Sequence, residues 1–357
     1  MTQGAAPVLP TVNGFAVRCA TIALRRRKIA TAPLLESARL SEGDFDVGQS
    51  RINATAQADF LERSAQALND SAFGLHLAEQ ADPRDAGVLF YIASGGKDLG
   101  EALRLFARYF RIVNEAVRLK LTETATSVIV EVDLLGLPRH SFRQNAEFGI
   151  AVILKALRDV AARKIRPGRV TFAHPRNSNL REFERFYLCP VEFAAASDLM
   201  EFSNDTLAVP LTTTDQKLVQ ALKPFCDMAA KERNTTIGTL RSMVENEMQR
   251  LLPNGKAQKE NVAKRLAMST RTLSRRLAEE GTTFERVLDD LRRSLALQYI
   301  HEPGVSLSQV AWLLGYEGST SFNHAFVRWT GRSPTSLRSE KRLPRHPNFG
   351  LVLRRRR

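Results

Sequence analysis

The sequence of 357 residues predicts an α+β N-terminal domain followed by an all-α C-terminal domain built around two helix-turn-helix units in tandem. Three observations support this fold class. Between residues 117 and 132, apolar and polar residues alternate as they do in β-strands. Neighbouring N-terminal segments instead repeat apolar residues every three or four positions, as amphipathic helices do. Beyond residue 238 the predicted elements are helical, and one helical pattern occurs twice.

The N-terminal elements follow from these two periodicities, alternation in strands and a repeat of three or four residues in helices. Amphipathic helices are predicted over residues 55–69 and 99–114, and residues 117–121 and 128–132 indicate the two strands of a hairpin. A long helix is expected over residues 142–164. The pattern then predicts a second β-containing stretch, with strands at 170–172, 191–193 and 207–209 and a short helix at 180–186.

The junction between the two domains is predicted over residues 212–237. Leu218, Leu222, Phe225 and Met228 mark a helix that joins the domains and offers a contact for a homodimer. The first C-terminal helix should follow, with Leu240, Met243, Val244 and Met248 on its apolar face. The predicted division is therefore 15–211 for the α+β domain, 212–237 for the junction, 238–339 for the helix-turn-helix domain and 340–357 for a basic tail.

Two C-terminal segments, 262–281 and 310–331, repeat one pattern. Each opens with V-A-x-x-L and carries an apolar pair four residues apart, Leu273/Leu277 in the first and Phe322/Phe326 in the second. A single copy would be weak evidence, because many small domains contain a helix, a turn and a second helix. Two copies offset by 48–49 residues indicate a duplicated helix-turn-helix unit.

Helix-terminal residues support both units. Residues 282–285 (Thr-Thr-Phe-Glu) and 306–309 (Ser-Leu-Ser-Gln) match the capping box, and Gly281 and Gly331 stand where a left-handed residue ends a helix. Between the units, an amphipathic helix is predicted from about Phe284 to His301. At about 1.5 Å per residue, it would be roughly 27 Å long. Such a helix could hold two recognition helices about 34 Å apart, in successive major grooves of B-DNA.

Residues 262–337 resemble the DNA-binding domain of AraC/XylS-type transcriptional regulators. The likeness rests on the tandem units, their joining helix, the Gly315-Tyr316-Glu317 turn and the ending Phe322-x3-Phe326-x4-Gly331-x2-Pro334, and it spans about 100 residues from Thr235 to Ser339. It implies a seven-helix domain that binds a direct, non-palindromic site and controls transcription. Composition and periodicity alone indicate only a helical, DNA-binding domain.

The N-terminal part, residues 18–211, resembles the ligand-sensing domain called arabinose-binding-like, found in a subset of these regulators. The matching residues are 73–78 (Phe-Gly-Leu-His-Leu-Ala), 87–89 (Gly-Val-Leu) and Leu99-x2-Ala102-Leu103. The likeness implies an unidentified small-molecule effector. It departs from the sugar-binding jelly roll of the family's namesake, so arabinose is not inferred. Effector-binding residues, operator and the choice between activation and repression stay open.

The charge of the chain agrees with DNA binding. The chain carries 52 Lys and Arg against 38 Asp and Glu, and residues 238–357 hold 22 basic and 11 acidic side chains. A phosphate-binding surface requires such an excess. A basic surface can also serve solubility alone, but its position beside two helix-turn-helix patterns favours DNA. The run Arg354 to Arg357 is interpreted as a solvated tail.

Helix geometry identifies the side chains expected to read DNA in the first unit. Because Leu273 and Leu277 face inward, Arg271, Ser274 and Arg275 should project outward. An arginine can donate two hydrogen bonds to O6 and N7 of guanine. The resemblance places the family's base-contacting positions at these same residues.

In the second unit, Phe322 and Phe326 are the inward pair. The residues left to face the groove are Ser319, Thr320, Asn323 and His324. Asparagine suits adenine, and hydroxyl groups can bind a base edge or a phosphate. Arg276 and Arg328 are predicted to contact phosphate or to be solvated.

No residue pattern points to catalysis or to a metal. Cys19, Cys189 and Cys226 lie far apart, which is typical of reduced thiols and not of a disulfide framework or zinc site. The histidines of this domain, His76, His140 and His174, are interpreted as structural. Residues 94–97 (Ser-Gly-Gly-Lys) lack the spacing of a phosphate loop and predict a turn. Apolar residues at 89–92 and 106–110 favour ordinary core over a ligand pocket.

The function predicted from the sequence is that of a cytoplasmic transcription regulator without a cofactor. No run approaches 18 apolar residues and no secretion signal is evident. The expected partners are double-stranded DNA, RNA polymerase, a small-molecule effector and a second copy of the chain. Two alternatives stay open: a DNA-binding regulator that needs no ligand, and an enzyme whose helix-turn-helix domain only localises it.

Overall fold

The N-terminal part of the computed structural model is a mixed α/β domain. The structure describes residues 9–45, 51–135, 143–233, 239–302 and 304–340. Among these residues, the N-terminal elements are β1 (Thr11–Val12), α1 (Phe15–Arg26), α2 (Ala32–Ser37), β2 (Ile52–Asn53), α3 (Ala54–Leu68), α4 (Phe73–Gln80), α5 (Val88–Ser94), α6 (Leu99–Tyr109), β3 (Val117–Glu123), β4 (Ser127–Leu134), α7 (Arg143–Ala161), β5 (Arg169–Thr171), α8 (Leu180–Tyr187), β6 (Val191–Glu192), β7 (Leu199–Ser203), α9 (Asn204–Leu207) and α10 (Gln216–Glu232).

Five of these strands form one sheet in the order β3-β4-β7-β5-β6. The predicted hairpin is confirmed: β3 and β4 pair antiparallel, from Val117 opposite Leu134 to Glu123 opposite Val128. Only the β5–β6 pair is parallel. The alternation of the sequence buries Leu119, Val130 and Val132 on one face, and this face packs with α6 and α7 around the core.

Two N-terminal predictions need correction. The helix predicted to reach residue 114 ends at Tyr109 and continues as a 3-10 turn over Phe110–Ile112. The strand predicted at 207–209 is wrong, because the strand is β7, where buried Met200 and Phe202 face the core. Ser203 then caps the short helix α9 by accepting a hydrogen bond from the Thr206 amide, so Leu207 is helical.

The C-terminal part is helical, as predicted. Its described residues form seven helices: α11 (Leu240–Leu251), α12 (Lys259–Arg265), α13 (Thr270–Glu279), α14 (Phe284–Tyr299), α15 (Leu307–Leu313), α16 (Ser319–Thr330) and α17 (Pro334–Glu340). Helices α12 and α13 form the first helix-turn-helix unit, α14 is the joining helix, and α15 and α16 form the second unit.

Helix ends in this part mostly follow the predicted chemistry. Ser306 and Gln309 form a complete capping box at α15, and Gly281 and Gly331 have left-handed φ values of +72° and +71°. The cap of α14 differs by one position: Thr283 accepts the hydrogen bond from the Arg286 amide, whereas Thr282 is buried. On α11, Leu240, Val244 and Met248 are buried as predicted, but Met243 is 42% exposed.

Buried apolar side chains form two separate clusters. One extends from Val12 to Cys226 and the other from Leu240 to Phe326. Helix α10, in the predicted junction, contributes Val219 and Cys226 to the first cluster. The chain therefore has one core for the α+β part and another for the helical part, while the residue boundaries of the domains stay a prediction.

Candidate DNA interface and effector pocket

The first recognition helix, α13, is held by its cap and by two buried leucines. Ser269 Oγ accepts a hydrogen bond of 3.1 Å from the Thr272 amide, which satisfies one of the free N–H groups at the start of the helix. Leu273 and Leu277 are fully buried in the C-terminal core. This anchoring turns the opposite face outward, and the structure places Arg271, Ser274 and Arg275 there, all exposed.

The second recognition helix, α16, is anchored by aromatic packing. Phe322 and Phe326 are fully buried, with their ring centroids 5.6 Å apart. Tyr316 packs on Phe322 at 6.1 Å. The predicted groove-facing residues of this helix are all exposed: Ser319, Thr320, Asn323 and His324.

The two recognition helices present equivalent surface stripes. An offset of 49 residues relates the pairs Arg271/Thr320, Ser274/Asn323, Arg275/His324 and Ala278/Val327, and all eight side chains are exposed. Sequence reasoning missed Ala278 and Val327, because apolar residues in a helix are expected to face the core. Ala278 lies four residues after Ser274, and Val327 lies four residues after Asn323. This helical spacing could have placed them on the outward face. An apolar side chain on this stripe can contact the thymine methyl group.

The arginines of the interface differ in their partners. Arg275 pairs with Glu279 at 2.5 Å on its own helix. Arg328 pairs at 2.7 Å with Asp289 of α14, which also accepts a hydrogen bond from Trp329 Nε1. Among the described residues, Arg271 and Arg276 have no hydrogen-bond or ion-pair partner. Arg271 and Arg276 can therefore bind DNA without breaking a contact, whereas Arg328 also ties α16 to the joining helix.

The joining helix α14 contacts α11 and the second unit through neighbouring carboxylates. Asp289 binds the second unit as described, and Asp290 pairs at 2.9 Å with Arg241 of α11. The Glu280 carboxylate, at the end of the first unit, accepts hydrogen bonds from the amides of Leu240 and Arg241, at 2.8 and 3.0 Å. With 16 residues, α14 is about 24 Å long, slightly shorter than predicted.

The positive charge is less concentrated on the helices than the sequence suggested. Residues 238–340 hold 15 basic and 11 acidic side chains, and the other seven basic residues lie at 341–357, outside the described residues. The described helices thus owe their DNA-binding character to where the exposed arginines lie more than to net charge.

A cavity of about 100 Å³ lies in the N-terminal domain between the β3–β4 hairpin and α7. Leu89, Phe106 and Phe110 line it. The preference for ordinary core at 89–92 and 106–110 is therefore corrected in part: Ile92 is buried core, while these three residues line a partly open cavity.

Among the described residues, three N-terminal segments make polar contacts with the helix-turn-helix domain. Arg250 of α11 donates to Asp133 of β4 at 2.7 Å, and Asn246 donates to the Leu134 carbonyl at 3.1 Å. Arg143, at the start of α7, pairs with Glu302, which follows α14. Asn177 donates to the Gly304 carbonyl at 2.8 Å.

A buried ionic cluster lies beside Arg143, the α7 residue that pairs with Glu302. Glu147 is fully buried and accepts hydrogen bonds from Arg176 at 2.6 Å and His174 at 2.8 Å. Burial raises the pKa of Glu147, but the charge of Arg176 and the His174 contact outweigh it, so the pKa lies below its ordinary value. Burial raises the pKa of nearby Glu62 to about 7.

The histidines that can be checked hold structural contacts. His76 lies between Asp70 at 2.8 Å and Glu182 at 2.9 Å, and His174 is part of the buried cluster. His140 lies outside the described residues. Residues 94–97 form the end of α5 and a turn before α6, as predicted.

Neither a metal cluster nor a membrane helix is found in the part of the chain that the structure describes. No group of three or more His, Cys, Asp or Glu side chains there could hold a metal ion. None of its helices is long and apolar enough to cross a membrane. Cys19, Cys189 and Cys226 are free thiols.

Two helix-turn-helix units with exposed, equivalent stripes, carried behind an α+β domain, define a DNA-binding regulator. Residues 29–211 match the family model described as the arabinose-binding domain of AraC transcription regulators, N-terminal, and residues 262–340 match a helix-turn-helix domain model. The chain belongs to the AraC family of transcription regulators. Both resemblances seen in the sequence are thereby confirmed.

Curated relatives extend over most of the chain. The ornithine utilization regulator of Pseudomonas aeruginosa is 28% identical over 317 residues, covering 87% of this chain and 91% of the relative. The regulator VirS of Mycobacterium tuberculosis is 28% identical over 283 residues, covering 78% of this chain and 82% of the relative. The solved structure of the regulator CdpR from Pseudomonas aeruginosa aligns with 94% of this chain and all of that chain at 24% identity, with a TM-score of 0.46, which is too low to establish a shared arrangement.

Proposed function

We propose that this AraC-family regulator reads two successive major grooves of one DNA duplex with α13 and α16. The observation that carries the proposal is the pair of equivalent exposed stripes, offset by 49 residues and joined through a single helix. Arg271, Ser274 and Arg275 read one half-site, and Ser319, Thr320, Asn323 and His324 read the other. Arg276 supplies a phosphate contact. Arg328 takes the same role if it leaves Asp289.

The experiment that tests this proposal is the selection of bound sequences from a random duplex pool with the full chain at near-physiological salt. We expect two different motifs whose centres lie about one helical turn apart. A single motif would contradict two-groove reading. Binding without any enriched motif, lost as salt rises, would indicate a nonspecific DNA binder.

We further propose that a small-molecule effector controls this DNA binding through the N-terminal domain. The match of residues 29–211 to an effector-domain family model supports an effector. The contacts of β4 and α7 with α11 and Glu302 support a physical route to the helix-turn-helix domain. A regulator without a ligand is the competing function, and a DNA affinity that no small molecule changes would favour it.

The proposed partners and location follow from this role. RNA polymerase is the expected protein partner of a transcription regulator. The proposed location is the cytoplasm, because it contains the DNA of a bacterial cell. A homodimer through α10 is supported by Phe225 and Met228, which are 66% and 59% exposed on that helix. Sedimentation equilibrium of the natural chain and of Phe225→Glu tests it: we expect only the variant to be monomeric.

We also propose that the chain is not an enzyme and uses no cofactor. The named relatives are regulators, which supports a regulatory role for the whole chain. Turnover of a substrate by the isolated full chain would contradict this proposal.

A further inference from the structure

We propose that the cavity between the β3–β4 hairpin and α7 binds a small, uncharged effector with an apolar body and one head group that both donates and accepts hydrogen bonds. The proposal rests on the effector response proposed above and names the site and the chemical class of its ligand.

The size and walls of the cavity fit a compact apolar body. Its volume is about 100 Å³, and most of its lining is apolar, including Phe106, Leu119, Val132, Phe148 and Ile153. An apolar protein cavity of about 150 Å³ is known to stay dry and to bind benzene. At the same ratio, the present cavity suits a ligand of about four heavy atoms, or a larger one if the walls separate.

Gly149 keeps this cavity open. It lies inside α7 and lines the cavity, and a Cβ atom added to it would meet no other atom within 4 Å. A glycine within a helix costs about 0.5–1 kcal/mol relative to alanine. Close packing does not explain this glycine, because nothing lies where its side chain would be. The missing side chain instead leaves room for a ligand.

Among the polar side chains that line the cavity, one pair offers both a donor and an acceptor to a ligand. Gln57 Nε2 donates to Asn145 Oδ1 at 2.9 Å, and both residues line the cavity. This bond leaves the acceptor Oε1 of Gln57 and the donor Nδ2 of Asn145 without a partner among the described residues. Neither atom belongs to the fully buried unpaired atoms of the described residues, so both stay accessible and can bond to a ligand. A ligand head with both an N–H or O–H donor and an oxygen acceptor would satisfy both atoms.

The lining residues disfavour an anionic head, because none of them carries a positive charge. Asp198 is the only titratable side chain among the described lining residues, and its Oδ1 already accepts a hydrogen bond of 2.7 Å from the Ala173 amide. No described lysine, arginine or histidine lines the cavity. A carboxylate bound there would be buried without a cation, which is strongly unfavourable. A primary amide is the simplest head that fits.

The elements that enclose the cavity also touch the DNA-binding domain. On β4, Val132 and Leu134 line the cavity, while Asp133 between them binds Arg250. On α7, the lining residues include Asn145, Ala146, Phe148, Gly149 and Ile150, and Arg143 pairs with Glu302. A ligand that moves either wall would therefore move a residue in the domain contact.

Three probes of equal chain length test the chemical class: pentanamide, pentanoate and pentylammonium. With the full chain at pH 7, we expect pentanamide to raise Tm saturably and to bind at least tenfold more tightly than either ion in calorimetric titration. Equal or tighter binding of pentanoate or pentylammonium would overturn the proposal, and so would the absence of pentanamide binding.

Two matched variants test the location. Gly149→Leu should fill the cavity, keep the fold and weaken pentanamide binding at least tenfold. Gly43→Leu is the control, because a Cβ at Gly43 also meets no atom within 4 Å but Gly43 does not line the cavity. If Gly149→Leu does not fold, Gln57→Leu removes the acceptor and should cause a similar loss. Unchanged binding in the folded cavity variant would place the probe elsewhere and overturn the site.

DNA binding is measured separately, so that the two proposals can fail separately. Pentanamide binding without any change in DNA affinity would support the site and contradict the effector response. Specific DNA recognition without probe binding would contradict the site and leave the two-groove proposal standing.

Discussion

Arg250 of the helix-turn-helix domain donates a hydrogen bond of 2.7 Å to Asp133 of the sheet, across 117 residues of sequence. Both side chains are largely buried, at 15% and 14% exposure. Burial raises the pKa of Asp133, but hydrogen bonds from Arg250 and Arg118 outweigh it, so the pKa lies below its ordinary value. The carboxylate is therefore charged at neutral pH and holds the two domains together.

The first prediction concerns this pair. Arg250→Ala should lower the free energy of unfolding of the full chain by about 1–3 kcal/mol, because it leaves the Asp133 carboxylate short of a partner in a buried contact. Denaturant unfolding measures the loss. Arg118→Ala is the matched control: Arg118 binds the same carboxylate at 3.0 Å but is 60% exposed. We expect it to cost less than about 1 kcal/mol. Equal losses of unfolding free energy in the two variants would mean that the contact between the domains does not stabilise the fold.

The second prediction concerns the first recognition helix. Arg271→Ala and Arg275→Ala should each weaken binding to the specific site by about 1–3 kcal/mol and relax base preference in one half-site only. Arg276→Ala is the control on the same helix. As a phosphate contact, it should weaken binding evenly on all sequences and reduce the salt slope by about one. Fluorescence anisotropy on the selected site and on random DNA separates these results. Equal losses on both DNAs for Arg271→Ala would show a phosphate contact instead.

The third prediction concerns the second recognition helix. Asn323→Ala should relax base preference in the other half-site, about ten base pairs away. Val327→Ala should reduce any preference for thymine at a neighbouring position, because it removes methyl groups from the exposed stripe. Binding to sites with single base changes measures both effects. If Asn323→Ala relaxed base preference in the same half-site as Arg271→Ala, the assignment of one helix to each groove would be contradicted.

Local signals explain why the C-terminal domain could be predicted from the sequence. The pairs Leu273/Leu277 and Phe322/Phe326, the Ser306 cap and the terminal glycines act within one helix turn, and the repeat doubles the apolar pairs and the glycines. The cap at Thr283 was missed because Thr282 and Thr283 are both hydroxyl residues, and only the fold decides which of them starts α14.

The cavity of the N-terminal domain could not be predicted, because packing between distant parts of the sequence creates it. Gln57 and Asn145 lie 88 residues apart in the sequence, and Gly149 by itself signals only a weakened helix. The aromatic residues at 106–110 have the same spacing in a filled core as around a cavity. Only the opposing β3–β4 hairpin shows that a space remains.

The fourth prediction compares two left-handed glycines. Gly315 has φ +72°, and a Cβ there would lie 2.6 Å from the Leu252 carbonyl oxygen, whereas Gly281 has the same φ and open space. Gly281→Ala should therefore cost only the backbone strain, about 1 kcal/mol. Gly315→Ala should cost more than about 2 kcal/mol, because the second helix-turn-helix unit must also shift from the Leu252 backbone. Thermal unfolding measures both. Equal costs would mean that the contact with Leu252 relaxes freely.

The last prediction concerns pH and His76. The hydrogen bond to Asp70 raises the pKa of His76 to about 9, with a further contribution from Glu182 and against partial burial. Because the folded pKa exceeds the unfolded value of about 6.5, the stabilisation is complete below about pH 6.5 and is lost as the pH rises through about 9. After allowance for solvent screening, we expect a loss on the order of 1–2 kcal/mol between these values. Unfolding of the natural chain and of His76→Gln across this range measures it. The variant should not show this loss of stability as the pH rises. The same loss in both chains would mean that another group causes it.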